Sequence, residues 1–451
     1  MSKCVFSAKA WAIVFAALGL SACGGGSGGG AATASLYSIS GSVSGLSTGQ
    51  SLVLQNNGGN AVAITANGSF TFSPPLPSGS AYSASILTQP TAQTCAVNYG
   101  SGALSGSNVS NVSVTCITNP RFAYVANFGT NDVSAFTVNG TTGALTEIAG
   151  SRFAAGTSPA AIAIDPTVKF VFVANNGSNN VSAYTVNQSS GVLSSVAGSP
   201  FAVGTNPVGL AIDPTGKFLY VANQGANSLS ALTINPTTGA LAPVVGSPYV
   251  TGSNPYSVAV DPTGKYVYVV NLNSGSASGF SIDTTSGSLT VLNGSPFALS
   301  GTGGLAISST TGFAYVGGLS DNTVIAESIN TSTGALSAVV GSPFAAGTYT
   351  SSIAMDHAGK FVYATNPTSN SISGYVSNAS TGALTSISGS PFSSSNFPLA
   401  ISIDPTSRFA YVVNANSSNI SVFNINAGTG VLTSTGNVYS TGAGPEAIAV
   451  R

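Results

Sequence analysis

The chain has 451 residues, only 5% of them charged, and a formal net charge of −1. An average soluble protein carries about 25% charged residues, so the polar character of this chain comes mainly from Gly, Ser, Thr and Asn. Because there is no basic surface to neutralise phosphates, the composition excludes nucleic acid as a partner. A chain of this length has room for two or three domains.

Residues 1–22 have the pattern of a bacterial lipoprotein signal peptide. Lys3 and Lys9 supply a basic n-region, and the apolar stretch Ala10–Leu20 that follows is too short to span a bilayer as a helix. The sequence Leu-Ser-Ala-Cys that ends at Cys23 resembles a lipobox, in which the chain is cleaved before the cysteine and lipid is attached to its thiol. The alternative is an ordinary secretory signal with a cysteine there by chance.

Residues 23–34 begin with the lipid site Cys23 and continue as a glycine-rich tether. A lipid anchor at Cys23 would hold the protein on a membrane, since each buried CH₂ contributes about 0.8 kcal/mol. Gly24, in place of Asp, resembles the pattern of lipoproteins that are sorted to the outer membrane. We therefore expect a lipid-anchored protein at the outer membrane or the cell surface.

Two further cysteines remain once Cys4 has left with the signal peptide and Cys23 carries lipid. A single pair such as Cys95 and Cys116 in an exported chain most often forms a disulfide. Such a bridge would stabilise the fold by about 3 kcal/mol in the chain-entropy model. A pair of free thiols is the alternative.

Residues 35–116 are predicted to form a small antiparallel β-sandwich, because short alternating segments are separated by Asn-Gly turn sequences. The segment resembles the immunoglobulin-like modules of bacterial surface proteins. It contains no Asp, Glu, Lys, Arg or His, so we interpret it as a spacer without acid–base chemistry. The predicted strands include Leu52–Leu54, Val62–Ile64, Phe70–Phe72, Tyr82–Leu87 and Val109–Val114.

Residues 117–451 repeat one pattern seven times. The run Tyr-Val-Ala-Asn and its variants end at positions 127, 175, 223, 271, 318, 366 and 414, at intervals of 48, 48, 48, 47, 48 and 48 residues. A fixed period of about 40 to 50 residues with several short apolar strands is typical of a β-propeller with one blade per repeat. We therefore predict an all-β chain: a seven-bladed β-propeller preceded by the small β-sandwich.

The closure of the ring can also be predicted. Each repeat divides into four strands, and the innermost strand carries a small residue at one fixed place, as a tapering blade requires near the axis. Residues 445–450 match an inner strand with no partners after it, whereas the first repeat, from Phe122, lacks an inner strand. We expect 445–450 to complete the first blade, which would leave no free sheet edge. The small residues are Ala163, Ala211, Ala259, Ala306, Ala354, Ser402 and Ala449.

These motifs resemble those of the seven-bladed YVTN-repeat and lactonase-like propellers. The resemblance covers residues 117–451 and rests on the Tyr-Val-Ala-Asn runs, on Asp213–Lys217 with its copies, and on Thr238–Leu241 with its copies. It implies the same blade construction. The family includes a 6-phosphogluconolactonase and a carboxymuconate cyclase, and also repeat proteins without known chemistry.

Ten charged residues belong to one repeated turn, in which Asp is followed four residues later by a cation. Asp at the first position and Pro at the second favour a type I turn, so we interpret these residues as structural. His357, the only histidine, replaces the proline in one copy and is expected to lie in solvent. The pairs are Asp165 and Lys169, Asp213 and Lys217, Asp261 and Lys265, Asp356 and Lys360, and Asp404 and Arg408.

The remaining charges are few, and most belong to the first blade. Arg152 stands where most repeats have Pro, and Glu446 belongs to a ring of inner-strand positions near the channel mouth that also contains Tyr256. The first blade also contains Asp132 and Glu147. One interpretation is a salt bridge among these charges that strengthens the closing blade. The other is a small polar site formed by Arg152, Tyr256, Glu446 and Asp132. The residue pattern predicts no metal site and no cofactor.

This scarcity of ionisable groups decides the functional hypothesis. Lactone-cleaving enzymes need a general base and cationic groups near an oxyanion or phosphate, and the family's groups cannot be assigned to residues here. We expect a surface-anchored lipoprotein whose propeller binds or scaffolds an extracellular or periplasmic protein or carbohydrate, with the channel mouth facing away from the membrane. The alternative is a lactonase-like hydrolase of the 6-phosphogluconolactonase type, or an isomerase.

Overall fold

The computed structural model describes residues 35–90, 93–118 and 121–451. The signal peptide at 1–22, the lipid site at Cys23 and the tether at 23–34 lie outside the described residues and stay predictions. The regular structure in these three ranges consists of β-strands, which confirms the all-β class. A search of the same ranges finds no helix long and apolar enough to cross a membrane.

The first domain consists of two four-stranded sheets around one apolar core. Its core side chains alternate along the strands, so that Leu52, Leu54, Val112 and Val114 are at most 1% exposed. One sheet contains, in spatial order, Gly68–Thr71, Ile39–Ser44, Val109–Thr118 and Gln93–Asn98. The other contains Gly59–Ile64, Leu52–Asn56, Ala81–Thr88 and Ser101–Ala103, while Leu36–Tyr37 pairs with Leu76–Pro77.

Cys95 and Cys116 lie opposite each other on neighbouring antiparallel strands and form the predicted disulfide, with their Cα atoms 3.9 Å apart. The expectation of a wholly antiparallel sandwich is wrong, because Ile39–Ser44 pairs in parallel with Val109–Thr118. Only strands joined by a tight turn must run antiparallel, and these two are separated by most of the domain. The last strand also extends two residues beyond the predicted boundary at 116.

Seven four-stranded antiparallel sheets follow, which confirms the seven-bladed propeller. The inner strands of blades 1 to 7 are Pro445–Val450, Pro159–Ile164, Pro207–Ile212, Pro255–Val260, Leu305–Ile307, Ile353–Met355 and Pro398–Ile403. The second strands are Arg121–Asn127, Phe170–Asn175, Phe218–Asn223, Tyr266–Asn271, Phe313–Gly318, Phe361–Asn366 and Phe409–Asn414. The third strands are Asp132–Val138, Asn180–Val186, Ser228–Ile234, Ser276–Ile282, Thr323–Ile329, Ser371–Ser377 and Asn419–Ile425.

The fourth strand lies on the outer edge of each blade. In blade 7 it is the continuous strand Leu432–Ser440, whereas the other six blades break it at the Gly-Ser-Pro or Gly-Ser-Arg sequence. The first pieces are Leu145–Glu147, Leu193–Ser195, Leu241–Pro243, Leu289–Val291, Leu336–Ala338 and Leu384–Ser386. The second pieces are Phe153–Ala154, Phe201–Ala202, Tyr249–Val250, Phe297–Ala298, Phe344–Ala345 and Phe392–Ser393.

The C-terminal strand Pro445–Val450 pairs with Arg121–Asn127, so the last residues of the chain provide the inner strand of blade 1. A buried ion pair between blades 7 and 1 also stabilises the closed ring. Arg121 Nη1 lies 2.9 Å from Asp404 Oδ2, and the two side chains are 8% and 0% exposed. Arg121 has the repeat position of the turn cations, but its own blade lacks the turn aspartate, so it binds the aspartate of the neighbouring blade.

The repeat motifs connect neighbouring blades. The tyrosine of the second strand is buried, and its hydroxyl donates to the carbonyl of the glycine in the next blade's Thr-Gly-Ala-Leu turn. Tyr124 reaches Gly191 at 2.8 Å, Tyr363 reaches Gly430 at 2.6 Å, and Tyr411 reaches across the closure to Gly143 at 3.0 Å. Together with the apolar clusters between blades, these bonds explain why tyrosine and glycine recur at a fixed spacing.

The turn aspartates are structural, as the sequence predicted. Asp165 is 3% exposed, and its carboxylate accepts hydrogen bonds from the backbone N–H groups of Thr167 and Phe170 and from the Thr167 hydroxyl. The same contacts recur around Asp213 and Asp404. His357 is exposed in its copy of the turn, as expected.

Candidate functional site

A central channel of 520 Å³ opens among the starts of the inner strands. In blades 1, 2, 3, 4 and 7 a register shift leaves one residue of the inner strand unpaired with the second strand. Such β-bulges re-aim side chains, and all five unpaired residues line the channel. They are Glu446, Ala160, Val208, Tyr256 and Leu399.

Glu446 is the one carboxyl group among the described residues that line this channel. It follows Pro445, its side chain is partly buried, and it makes no hydrogen bond or ion pair within the described part of the chain. Burial raises the pKa of Glu446 from its usual value of 4.5 to about 7, because the charged form loses water that nothing replaces. The carboxyl group is therefore half ionised near neutral pH.

Tyr256 enters the same channel from blade 4. Burial raises the pKa of the phenol, a hydrogen bond with the Ser351 side chain lowers it, and electrostatic interaction with Tyr349 and Glu446 raises it. Ser351 itself is 3% exposed. Tyr256 thus keeps its proton at neutral pH and can donate a hydrogen bond into the channel.

The rim of the channel differs from one side to the other. Phe128, Asn176 and Gln224 each follow the last residue of the second strand, in blades 1, 2 and 3, and all three line the channel. Phe128 is 40% exposed. Leu272, Leu319, Pro367 and Ala415 occupy the same repeat position in the other blades and carry no polar side chain.

Arg152 and Asp132 do not join Tyr256 and Glu446. Arg152 lies on the outer edge of blade 1, with its Nε 3.9 Å from Glu147 Oε1 and both side chains exposed, by 39% and 54%. An exposed pair of this kind contributes about 0–1 kcal/mol, so it adds little to the closing blade. Asp132 accepts a hydrogen bond from Asn127 Nδ2 at 2.6 Å and thereby fixes the loop after the second strand.

The position of Arg152 in the blade explains why it cannot reach the channel. The fourth strand is separated from the inner strand by three strand spacings of about 4.8 Å each. A residue on that edge is therefore about 14 Å from the inner strand. The predicted four-residue site is therefore reduced to Tyr256 and Glu446, with Ser351 as a partner that the sequence did not indicate.

A second unusual carboxyl group also went unnoticed in the sequence. Glu327, on the third strand of blade 5, is 5% exposed, and burial raises its pKa to about 7. The signal was present, because the other six repeats place a large apolar residue at this position. Those residues are Phe136, Tyr184, Leu232, Phe280, Tyr375 and Phe423.

The channel can support general acid–base chemistry without a metal. A half-ionised carboxylate can accept a proton from water, and the protonated phenol can donate to a developing oxyanion. In the described ranges there is no group of three or more His, Cys, Asp or Glu residues that could hold a metal ion.

Comparison with protein-family models gives one match, to the family described as "Lactonase, 7-bladed beta-propeller". The match covers residues 81–208, 204–305 and 298–449. Comparison with curated proteins found no match.

Several solved structures share the fold. A putative 6-phosphogluconolactonase from Bacteroides fragilis is 20% identical, with a TM-score of 0.65, over 74% of this chain and 98% of the other. One from Bacteroides uniformis is 19% identical, with a TM-score of 0.66, over 74% and 100%. The periplasmic gluconolactonase of Pseudomonas aeruginosa is 19% identical, with a TM-score of 0.62, over 73% and 99%. At these identities the likeness shows the fold alone.

Proposed function

Because the chain belongs to the lactonase family of seven-bladed β-propellers, we propose that it hydrolyses a lactone in the central channel, with Glu446 as the general base. The observation that carries the proposal is the unpartnered Glu446 carboxyl group with a pKa of about 7. A base with a pKa near the working pH combines a useful ionised fraction with a strong driving force for proton transfer.

The reaction follows from these groups. The Glu446 carboxylate takes a proton from a water molecule while the water oxygen bonds to the lactone carbonyl carbon. The carbonyl π electrons move to oxygen, and the Tyr256 hydroxyl donates a hydrogen bond to the resulting oxyanion. When the oxyanion collapses, the ring C–O bond breaks, and the Glu446 carboxylic acid returns its proton to the leaving alkoxide. The product is a hydroxy acid.

The test is a screen of aldono-lactones with a pH indicator or pH-stat, corrected for spontaneous hydrolysis. Glu446→Gln should lower kcat by about 10²- to 10⁴-fold, the usual contribution of a general base. Tyr256→Phe should lower kcat with a smaller effect on KM. Glu147→Gln, which removes an exposed carboxyl group on the outer edge, is the matched control. Equal turnover by the wild type and Glu446→Gln would refute the role of Glu446.

Binding or scaffolding without catalysis is the second candidate. It is favoured by one observation: the described channel residues include no Lys, Arg or His that could stabilise an oxyanion or bind a phosphate. In that case the partner would be an extracellular or periplasmic protein or carbohydrate, and the lipid anchor at Cys23 would hold the propeller at the membrane. Absence of turnover across the lactone screen, together with retained ligand binding, would favour this candidate.

A further inference from the structure

Two side-chain amides on the channel rim make no hydrogen bond to the described part of the protein. The side chains of Asn176 and Gln224 are partly buried, yet neither makes a hydrogen bond within the described part of the chain. Their backbone N–H groups are bonded, to Ser158 O at 2.9 Å and to Asn206 O at 2.9 Å, so the loops that carry them are held in place. A side-chain amide can donate two hydrogen bonds through its nitrogen and accept through its oxygen. Because these two amides have no partner in the described part of the chain, they favour a ligand with several hydroxyl groups.

Phe128 extends this polar surface with an aromatic one. The three side chains come from consecutive blades and line the same channel as Glu446, which belongs to blade 1. An exposed aromatic face beside amides is suited to a ring that is apolar on its C–H face and polar at its edge.

The charge of the channel excludes an anionic ligand of high charge. Glu446 is the one carboxyl group in the described lining, and no Lys, Arg or His accompanies it. A phosphate brought here would lose its water without gaining a cation, and the Glu446 carboxylate would repel it.

We propose that Phe128, Asn176 and Gln224 form a subsite for an uncharged polyhydroxylated ring, a neutral saccharide lactone, and that the channel discriminates against the phosphorylated form. Phe128 packs on the C–H face of the ring, and the two amides bind its hydroxyls. The inference rests on the proposed function for the place of the site, but its test needs no turnover.

The test is calorimetric binding of two stable probes, D-glucono-1,5-lactam and its 6-phosphate, to the full-length mature protein. The neutral lactam should bind at least about 10-fold more tightly than the phosphate, which is the ratio that a 1.4 kcal/mol difference would give. The double variant Asn176→Ala, Gln224→Ala should weaken binding of the neutral lactam by about 10-fold or more. Asn437→Ala removes an exposed amide on the outer strand of blade 7 and should leave binding unchanged.

Each outcome has a consequence. Equal or tighter binding of the 6-phosphate overturns the charge argument, and unchanged affinity in the double variant at an unchanged melting temperature overturns the subsite. Failure of both lactams to bind overturns the ligand class. If the neutral lactam binds as expected but no lactone is turned over, the subsite stands and the proposed catalysis fails.

Discussion

Replacing Glu327 by Gln tests the energetic cost of a carboxyl group buried inside a blade. Glu327 lies on the third strand of blade 5 opposite Ala314 and Ala338, neither of which can bind a carboxylate through its side chain. Its side chain makes no ion pair in the described structure, and burial is the one cause of the rise in its pKa from 4.5 to about 7. Gln keeps the shape and removes the ionisation.

The sign of the effect follows from proton linkage. A folded-state pKa above the unfolded value means that the native state binds the proton more tightly, so the stabilising contribution is present below about pH 4.5 and is lost as the pH rises to 7. A shift from 4.5 to about 7 corresponds to about 3 kcal/mol at 1.36 kcal/mol per pKa unit. The wild type should lose about this much stability relative to Glu327→Gln between pH 4.5 and 8.

The assay is equilibrium unfolding in urea at pH 4.5, 6 and 8, followed by tyrosine fluorescence, with the difference in free energy of unfolding between Glu327→Gln and the wild type taken at each pH. Taking this difference removes the pH-dependent contribution of Glu446 to stability, because Glu446 is present in both proteins. Glu147→Gln, with an exposed side chain, should show no change with pH. A difference that is constant across the three pH values would refute the reasoning.

Three further predictions concern closure, anchoring and orientation. Deleting residues 445–451 should cost more than about 3 kcal/mol, since the strand buries Ile448 and Val450, whereas deleting 24–30 should change the unfolding free energy little; equal values would contradict the closure. Cys23→Ser should move the protein from the membrane to the soluble fraction, and a variant that still sediments with membranes would show that the lipobox interpretation is wrong. A cysteine at Asn179 should react with an impermeant maleimide on intact cells faster than one at Thr167, and the reverse order would mean that the channel mouth faces the membrane.

The blades could be predicted because the motifs that recur in each repeat correspond to contacts that recur in each blade. The period of 48 residues, the Asp turns and the tyrosine–glycine spacing all record contacts that recur in every blade, such as Tyr363 with Gly430. Departures from the repeat were harder to interpret. Arg121 resembles an ordinary turn cation in the sequence, and its buried pairing with Asp404 becomes visible only when blades 7 and 1 meet.

The site was predicted in part for a related reason. A repeat position specifies the strand on which a residue lies, so Glu446 and Tyr256 could be placed near the axis. The position of Arg152 in the blade mattered more than its charge, because the outermost strand cannot reach the channel. Ser351 and the free amides of Asn176 and Gln224 carry no signal in the sequence, since their significance depends on which neighbours fail to bind them.

The most direct test of the proposed mechanism is the pH dependence of lactone hydrolysis between pH 5.5 and 8.5, measured for the wild type and for Glu446→Gln. We expect kcat/KM of the wild type to increase with pH towards a plateau, with a midpoint near the raised pKa of Glu446, about 7, and we expect Glu446→Gln to retain a rate about 10²- to 10⁴-fold lower that lacks this midpoint. Wild-type activity that is independent of pH over this range, or equal turnover by Glu446→Gln and the wild type, would contradict the assignment of the general base.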